Sequence, residues 1–310
     1  MGYDFDASPD DLITTHAQAL DFHNGFTLGG GVDVAEKIRQ RFTEKFGKPA
    51  FSNHCDALNE LQPDIAVISV PTEFHLTVLE DILRVHTPKL LLVEKPISYH
   101  SSEVKKILEI CASNNLHIAV NYFREYEPVY RDILSKIKNG LLGFPLKMVV
   151  HYTKGLINNG SHFIKYISNF MGDFIDLKII NKGRVLGDKD PEPDILIEFE
   201  QGDVYFIAHK EEDYSYYEME MIGPEGKMRF SKLGKVIEHW SVADDLEFKG
   251  YKILAEKPSV YKPDLKKYQL HVYDNIYNYL TDKADLYCDS NSMNQTISIY
   301  EKLEKGLTNA

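Results

Sequence analysis

Two short apolar runs, Asp-Ile-Ala-Val-Ile-Ser-Val over 64–70 and Leu-Leu-Leu-Val over 90–93, leave this chain few ways to fold. Neither alternates with polar residues, which is the pattern of strands buried on both faces. Stretches of helical period lie around them. Residues 34–47 place Ile38, Phe42 and Phe46 along one face and close on Gly47, and residues 76–86 and 101–115 read the same way. Residues 26–33 form a short strand ending at Asp33, and residues 116–122 form another. Strands alternating with helices through short connections require right-handed crossovers and a parallel sheet. In such a sheet the carboxyl ends of the strands share one edge, where ligands bind. The polar residues just past those ends are Asp33, then Thr72, Glu73 and His75, then Glu94 and Lys95, then Asn121, Tyr122 and Arg124. All are expected on one rim.

Beyond Phe144 the pattern changes. Strands recur around short turns, and Glu-Phe-Glu-Gln-Gly-Asp-Val-Tyr-Phe over 198–206 reads as an antiparallel hairpin. Two helical stretches, 262–280 and 294–303, follow, and the charged tract 247–264 reads as an exposed loop. Two domains are therefore expected, 1–123 and 124–310. The second carries a large sheet with one face free to bury against another copy of the chain. The net charge of −12, from 35 basic and 47 acidic residues, argues against nucleic acid or an anionic membrane as partner. No run reaches membrane length and no leader peptide opens the chain. Cys55, Cys111 and Cys288 are scattered without metal-ligand spacing. They fit a reducing compartment, so a cytoplasmic protein without a metal site is expected.

In order, these segments resemble the Gfo/Idh/MocA family of NAD(P)-dependent oxidoreductases. The resemblance rests on Asp-Ile-Ala-Val-Ile-Ser-Val-Pro-Thr-Glu-Phe-His (64–75), Val-Glu-Lys-Pro-Ile-Ser (93–98), Val-Asn-Tyr-Phe-Arg-Glu-Tyr-Glu-Pro (120–128), Gly-Leu-Ile-Asn-Asn-Gly-Ser-His-Phe-Ile (155–164) and Met-Ile-Gly-Pro-Glu-Gly-Lys-Met-Arg-Phe (221–230). It implies an α/β Rossmann-like parallel-sheet domain followed by an α+β domain with a large, mainly antiparallel open sheet. It also implies NAD or NADP as cofactor and a sugar, sugar nucleotide or polyol as substrate. Lys95 and His162 are then the candidates to move the hydroxyl proton. Asp33, Pro71, Thr72, His75, Glu94 and Lys95 would face the cofactor, and Asn121, Tyr122, Arg124 and Asn158 the substrate.

The residues themselves support part of this and leave part open. Lys95 follows a buried strand at the rim, and Pro96 removes a donor and fixes φ so as to aim it. A lysine there can bind a hydroxyl or, when desolvated, take its proton; a surface ion pair with Glu94 is the plain alternative. Asp33 suits the ribose hydroxyls and so NAD over NADP, but with Glu36 it equally suits a capping box. His75 reads as structural or cofactor-contacting before catalytic. Tyr122, Tyr126 and Tyr130 suit core packing.

Two departures from the family pattern stand out. The strand and glycine-rich phosphate loop that should precede Asp33 by about 20 residues have no counterpart, and they are expected upstream of Met1. Asn158 stands where the family has the acid that orients the histidine, and Lys165 where an acid is common. The leading expectation is an NAD(P)-dependent dehydrogenase. The competing one is a non-catalytic sugar-binding or regulatory relative.

Overall fold

The buried runs form strands where expected, but the parallel sheet comes in two pieces. The computed structural model describes residues 12–309. Helix α1 (His16–Phe22) is opened by a capping box in which the Thr15 hydroxyl accepts from the Gln18 N–H, and the Gln18 side chain accepts from the Thr15 N–H. Strand β1 (Gly31–Val32), helix α2 (Glu36–Phe46), strand β2 (Ala50–Phe51) and helix α3 (His54–Leu61) follow. The Asn53 side chain caps α3 by accepting from the Cys55 and Asp56 N–H groups. β1 and β2 pair in parallel as a separate ribbon.

β3 (Ile65–Ile68), helix α4 (His75–Val85), β4 (Leu90–Val93), helix α5 (Ser101–Ser113) and β5 (His117–Val120) then build a parallel sheet in the order β3-β4-β5. Ile68 pairs with Val93 and Val93 with Val120, so the three strands end level. Leu90, Leu91 and Leu92 are wholly buried. At about 1.5–3 kcal/mol for each such side chain, β4 is the hydrophobic centre of this unit.

Helix α6 (Pro128–Lys138), β6 (Leu146–Tyr152), a wide helical turn over Gly155–Gly160 and helix α7 (Ser161–Ser168) lead into the second sheet. Its further strands are β7 (Phe174–Leu186), β8 (Asp190–Phe199), β9 (Gly202–Ala208), β10 (Tyr217–Gly223), β11 (Gly226–Ser231), β12 (Val236–Asp244), β13 (Lys252–Leu254) and β14 (Ser259–Tyr261). The order is β13-β12-β11-β10-β6-β9-β8-β7 with β14 also on β12, and only β6 and β9 run parallel. The tract read as an exposed loop thus contributes two short edge strands. The β8–β9 turn needs Gly202: its φ is +138°, and a Cβ there would lie 1.9 Å from the Leu146 carbonyl oxygen.

One face of this sheet is apolar and buried, with Leu146, Met148, Val150 and Tyr152 of β6 at most 1% exposed. The opposite face carries cross-strand ion pairs, Lys147 with Asp203 and Arg229 with Glu218, among exposed Tyr205 and Ile222.

Helices α8 (Tyr268–Leu280) and α9 (Asn294–Asn309) close the chain. The molecule divides into two compact units. The first holds the chain to Ser98, Ser102–Glu127 and Leu265–Ser292, so α8 belongs with the parallel sheet. The second holds Tyr99–Ser101, Pro128–Asp264 and the chain from Met293. Among the described residues no helix is long and apolar enough to cross a membrane, and no group of three His, Cys, Asp or Glu side chains is placed to hold a metal ion.

Candidate active site

In the first unit the strand exits are tied to one another. The Glu94 N–H donates to the Ile68 carbonyl and the Asn121 N–H to the Val93 carbonyl, both at 2.9 Å. Glu94 and Asn121 therefore leave the sheet on the same edge, and the Asn121 Nδ2 donates to Glu94 Oε1 at 2.7 Å. The Lys95 backbone N–H donates to Glu94 Oε2 at 3.2 Å, and the Lys95–Pro96 peptide is cis. Lys95 is half-buried, whereas Ile97 and Ser98 behind it are buried.

His75 holds this loop from beneath. Its Nδ1 lies 3.0 Å from the Ile97 carbonyl oxygen and its Nε2 3.0 Å from that of Val70, so one ring bridges the β3 and β4 exits. Burial lowers its pKa, against the opposing pull of those carbonyls and of Glu94 and Glu103. Pro71 and Thr72 form the surface turn just before His75, and the Phe74 N–H donates to the Pro71 carbonyl at 2.9 Å.

Asp33 lies at the end of the separate ribbon, where its Oδ1 accepts from the Ala35 N–H at 2.9 Å. The capping box with Glu36 does not form, because Ala35 is the cap residue and Glu36 already lies in the helix. Tyr122, Tyr126 and Tyr130 are at most 3% exposed, but α6 begins only at Pro128, so they do not share one helix. The Arg124 guanidinium sits 4.6 Å from the Phe123 ring centroid, and that ring lies 4.3 Å from Tyr268.

The group that sequence reasoning missed sits behind Glu94. His16, from α1, places Nε2 2.9 Å from Glu94 Oε1 and Nδ1 3.0 Å from the Tyr273 hydroxyl. The Gln269 Nε2 lies 3.1 Å from His16 Nδ1, and its Oε1 accepts from Asn121 Nδ2 at 3.1 Å. Burial raises the Glu94 carboxyl, but the hydrogen bonds from His16 and Asn121 and the charge of Lys95 bring it below its ordinary range. Nothing in Thr-Thr-His-Ala marked His16, since its partners on α8 are more than 250 residues away.

The second unit holds Asn158 and His162. Two buried carboxylates from β8 grip the turn that leads to them. Asp190 Oδ1 and Oδ2 accept from the Ile157 and Asn158 N–H groups at 2.9 and 2.7 Å, and Glu192 Oε1 accepts from the Gly155 N–H at 3.0 Å. Gly155, at φ +81°, leaves room for this: a Cβ would lie 2.0 Å from Asp190 Oδ2. Glu192 also pairs with Arg184, whose fork continues to Glu212 at 2.7 and 2.8 Å. The sequence carries both acids in Asp-Pro-Glu-Pro-Asp, which reads as a turn tract rather than a helix clamp.

The Asn158 amide donates back to the Lys154 carbonyl at 3.2 Å. His162 is 5% exposed and meets the Tyr217 ring edge-on, while Phe163 stacks on that ring at 3.7 Å. Lys165 is wholly buried, and its Nζ donates to the neutral Asn169 side chain at 3.1 Å.

Residues 12–122, which carry α1 to β5 with His16, Glu94 and Asn121, match the oxidoreductase family with an NAD-binding Rossmann fold, Gfo/Idh/MocA. The chain is 31% identical over 98 residues to inositol 2-dehydrogenase of Corynebacterium glutamicum, 31% of this chain and 28% of the relative. It is 28% identical over 147 residues to scyllo-inositol 2-dehydrogenase (NAD(+)) of Bacillus subtilis, 47% of this chain and 40% of the relative. The chain thus aligns with less than half the length of either. Among solved structures, the WlbA dehydrogenase of Bordetella pertussis in complex with NADH and UDP-GlcNAcA superposes with a TM-score of 0.76 at 13% identity, over 95% of this chain and 92% of that one. That likeness shows a shared fold beyond residue 122.

Proposed function

We propose that the protein is a nicotinamide-dependent oxidoreductase that passes a hydride between the cofactor and a carbinol or carbonyl carbon of a sugar, sugar nucleotide or polyol. The observation that carries this is the β4 exit, where Lys95 stands half-buried on a carboxylate-anchored backbone at the ligand edge of a parallel sheet. Pro71, Thr72 and Asp33 are the residues that would hold the cofactor in this unit. The carboxylate of Asp33 favours free ribose hydroxyls, hence NAD over NADP.

One atom fits such a guest. Asn121 Oδ1 is buried without a hydrogen-bond partner, while its Nδ2 is committed to Glu94 and Gln269. A carboxamide N–H, as on nicotinamide, is the donor it lacks.

When bound, the cofactor supplies the hydride chemistry. Lys95 Nζ binds the substrate hydroxyl and takes its proton as the carbinol is oxidised. His162, whose ring type titrates near neutral pH, is the alternative acid–base group. Arg124, Tyr122 and Asn158 are the candidate substrate contacts. The non-catalytic reading gains no support from relatives named as dehydrogenases. Cys55, Cys111 and Cys288 form no disulfide, which fits a reducing, cytoplasmic setting. The open sheet face, with exposed Tyr205 and Ile222, is where we place a second copy.

The test is titration with NADH and NADPH by fluorescence, followed by turnover on inositols, hexoses and sugar nucleotides. Saturable binding, tighter for NADH, is expected. Lys95→Ala should lower turnover about 100-fold or more while binding persists. Binding without turnover of any substrate, unaltered by Lys95→Ala, would move the protein to the non-catalytic class.

A further inference from the structure

We infer that His16 is a positioning residue for Lys95, acting through Glu94 as a neutral imidazole protonated on Nε2, and that Glu94 anchors the main chain that carries Lys95. The orientation follows from the hydrogen bonds in sequence. Asn121 Nδ2 donates to Glu94 Oε1 at 2.7 Å and to Gln269 Oε1 at 3.1 Å. With its oxygen so engaged, Gln269 presents its Nε2 donors to His16 Nδ1 at 3.1 Å. That ring nitrogen must therefore accept, which leaves the proton on Nε2, 2.9 Å from Glu94 Oε1. The Tyr273 hydroxyl lies 3.0 Å from the same Nδ1.

Both Glu94 oxygens take part in this arrangement. Oε1 takes His16 and Asn121, and Oε2 takes the Lys95 backbone N–H at 3.2 Å. Its Oε2 holds the Lys95 N–H, so the acid beside Lys95 fixes the main chain from which the lysine projects. Four segments meet there: α1, the β4 and β5 exits, and α8. A helix otherwise remote from the strand exits thereby decides how rigidly Lys95 is held. Holding a reacting group in one geometry is worth rate only when its support is itself fixed.

The consequence for turnover rests on the oxidoreductase reading; the tautomer and the anchoring do not. Two measurements without cofactor decide them. Nitrogen-15 NMR of the histidine rings at neutral pH should show His16 protonated on Nε2 alone, and a ring protonated on Nδ1 overturns the inference. Amide hydrogen exchange at Lys95 should speed up about tenfold or more in His16→Ala, with the β4 amides of Leu91 and Leu92 unchanged within about twofold. His16→Gln, which keeps a donor near the Nε2 position, should restore most of the protection. Equal exchange at Lys95 in wild type and His16→Ala refutes the anchoring.

If His16→Ala does not fold, Gln269→Leu serves instead. It removes the donor to Nδ1 while leaving Glu94, and a mixture of His16 tautomers is expected; an unchanged single tautomer counts against the orienting role of Gln269. Where turnover is measurable, His16→Ala should lower kcat with the cofactor KM within about twofold, and His16→Gln should recover it. A raised cofactor KM with unchanged kcat would show that the group serves binding instead.

Discussion

Removing the Asp190 carboxylate should unfasten the turn that carries Asn158 and His162. Asp190 is 3% exposed, and its two oxygens accept from the Ile157 and Asn158 N–H groups at 2.9 and 2.7 Å. Hydrogen bonds to a charged group contribute about 1.5–3 kcal/mol each, and their loss strands two buried donors. Asp190→Ala is therefore expected to cost roughly 3–6 kcal/mol, the sum of two such bonds. Asp190→Asn keeps one acceptor but points an NH2 group at the other backbone N–H, so about half that loss, roughly 1.5–3 kcal/mol, is expected. Urea denaturation monitored by the single tryptophan, Trp240 on β12 of the same unit, reads both. Exchange of the Ile157 and Asn158 amides should accelerate more than that of β6 amides. If Asp190→Ala costs less than about 1 kcal/mol, or if Asp190→Asn costs as much as Asp190→Ala, the two-bond clamp is wrong.

Two further substitutions probe buried charge and buried imidazole. Lys165 lies wholly buried with a neutral acceptor and, among the described residues, no carboxylate at ion-pair distance. Lys165→Met should thus leave stability unchanged or raise it by about 1–3 kcal/mol, read as an increased urea midpoint; a clear loss would show that the ammonium has a stabilising role. His75 has its pKa lowered by burial, so the unfolded chain binds the proton more readily. That contribution is present above the unfolded value near 6.5 and is lost as pH falls through the window below it. His75→Phe should flatten the fall in stability below about pH 6.5, and an unchanged slope would assign it to another group.

The parallel sheet was legible because its strands carry their own evidence. Ile65–Ile68 and Leu90–Val93 are apolar without alternation, and only burial on both faces accommodates that. Parallel strands in turn place Glu94, Lys95 and Asn121 on one edge whatever the rest of the chain does. The mainly antiparallel sheet was legible for a similar reason, from alternation and short turns. Features with weaker local signals were not. β1 and β2 are two residues long, and the ribbon they form stands apart from the sheet that Asp33 was expected to join. The short helices α1 and α3 depend on caps at Thr15 and Asn53 more than on an apolar stripe.

What the sequence determined by itself is the kind of scaffold and the edge at which its polar residues emerge, because period and burial pattern are local properties of the chain. What only the tertiary structure decided is which side chains meet. α8 lies far along the chain, yet it brings Gln269 and Tyr273 to His16 in the first unit. Asp190 and Glu192 lie in a tract of turn-forming residues, yet they reach back some 30 residues to seal the turn before α7. Such contacts come from chain crossings that no periodicity encodes. Lys95 was therefore visible from its strand, while the residues that hold it in place were visible only in the folded molecule.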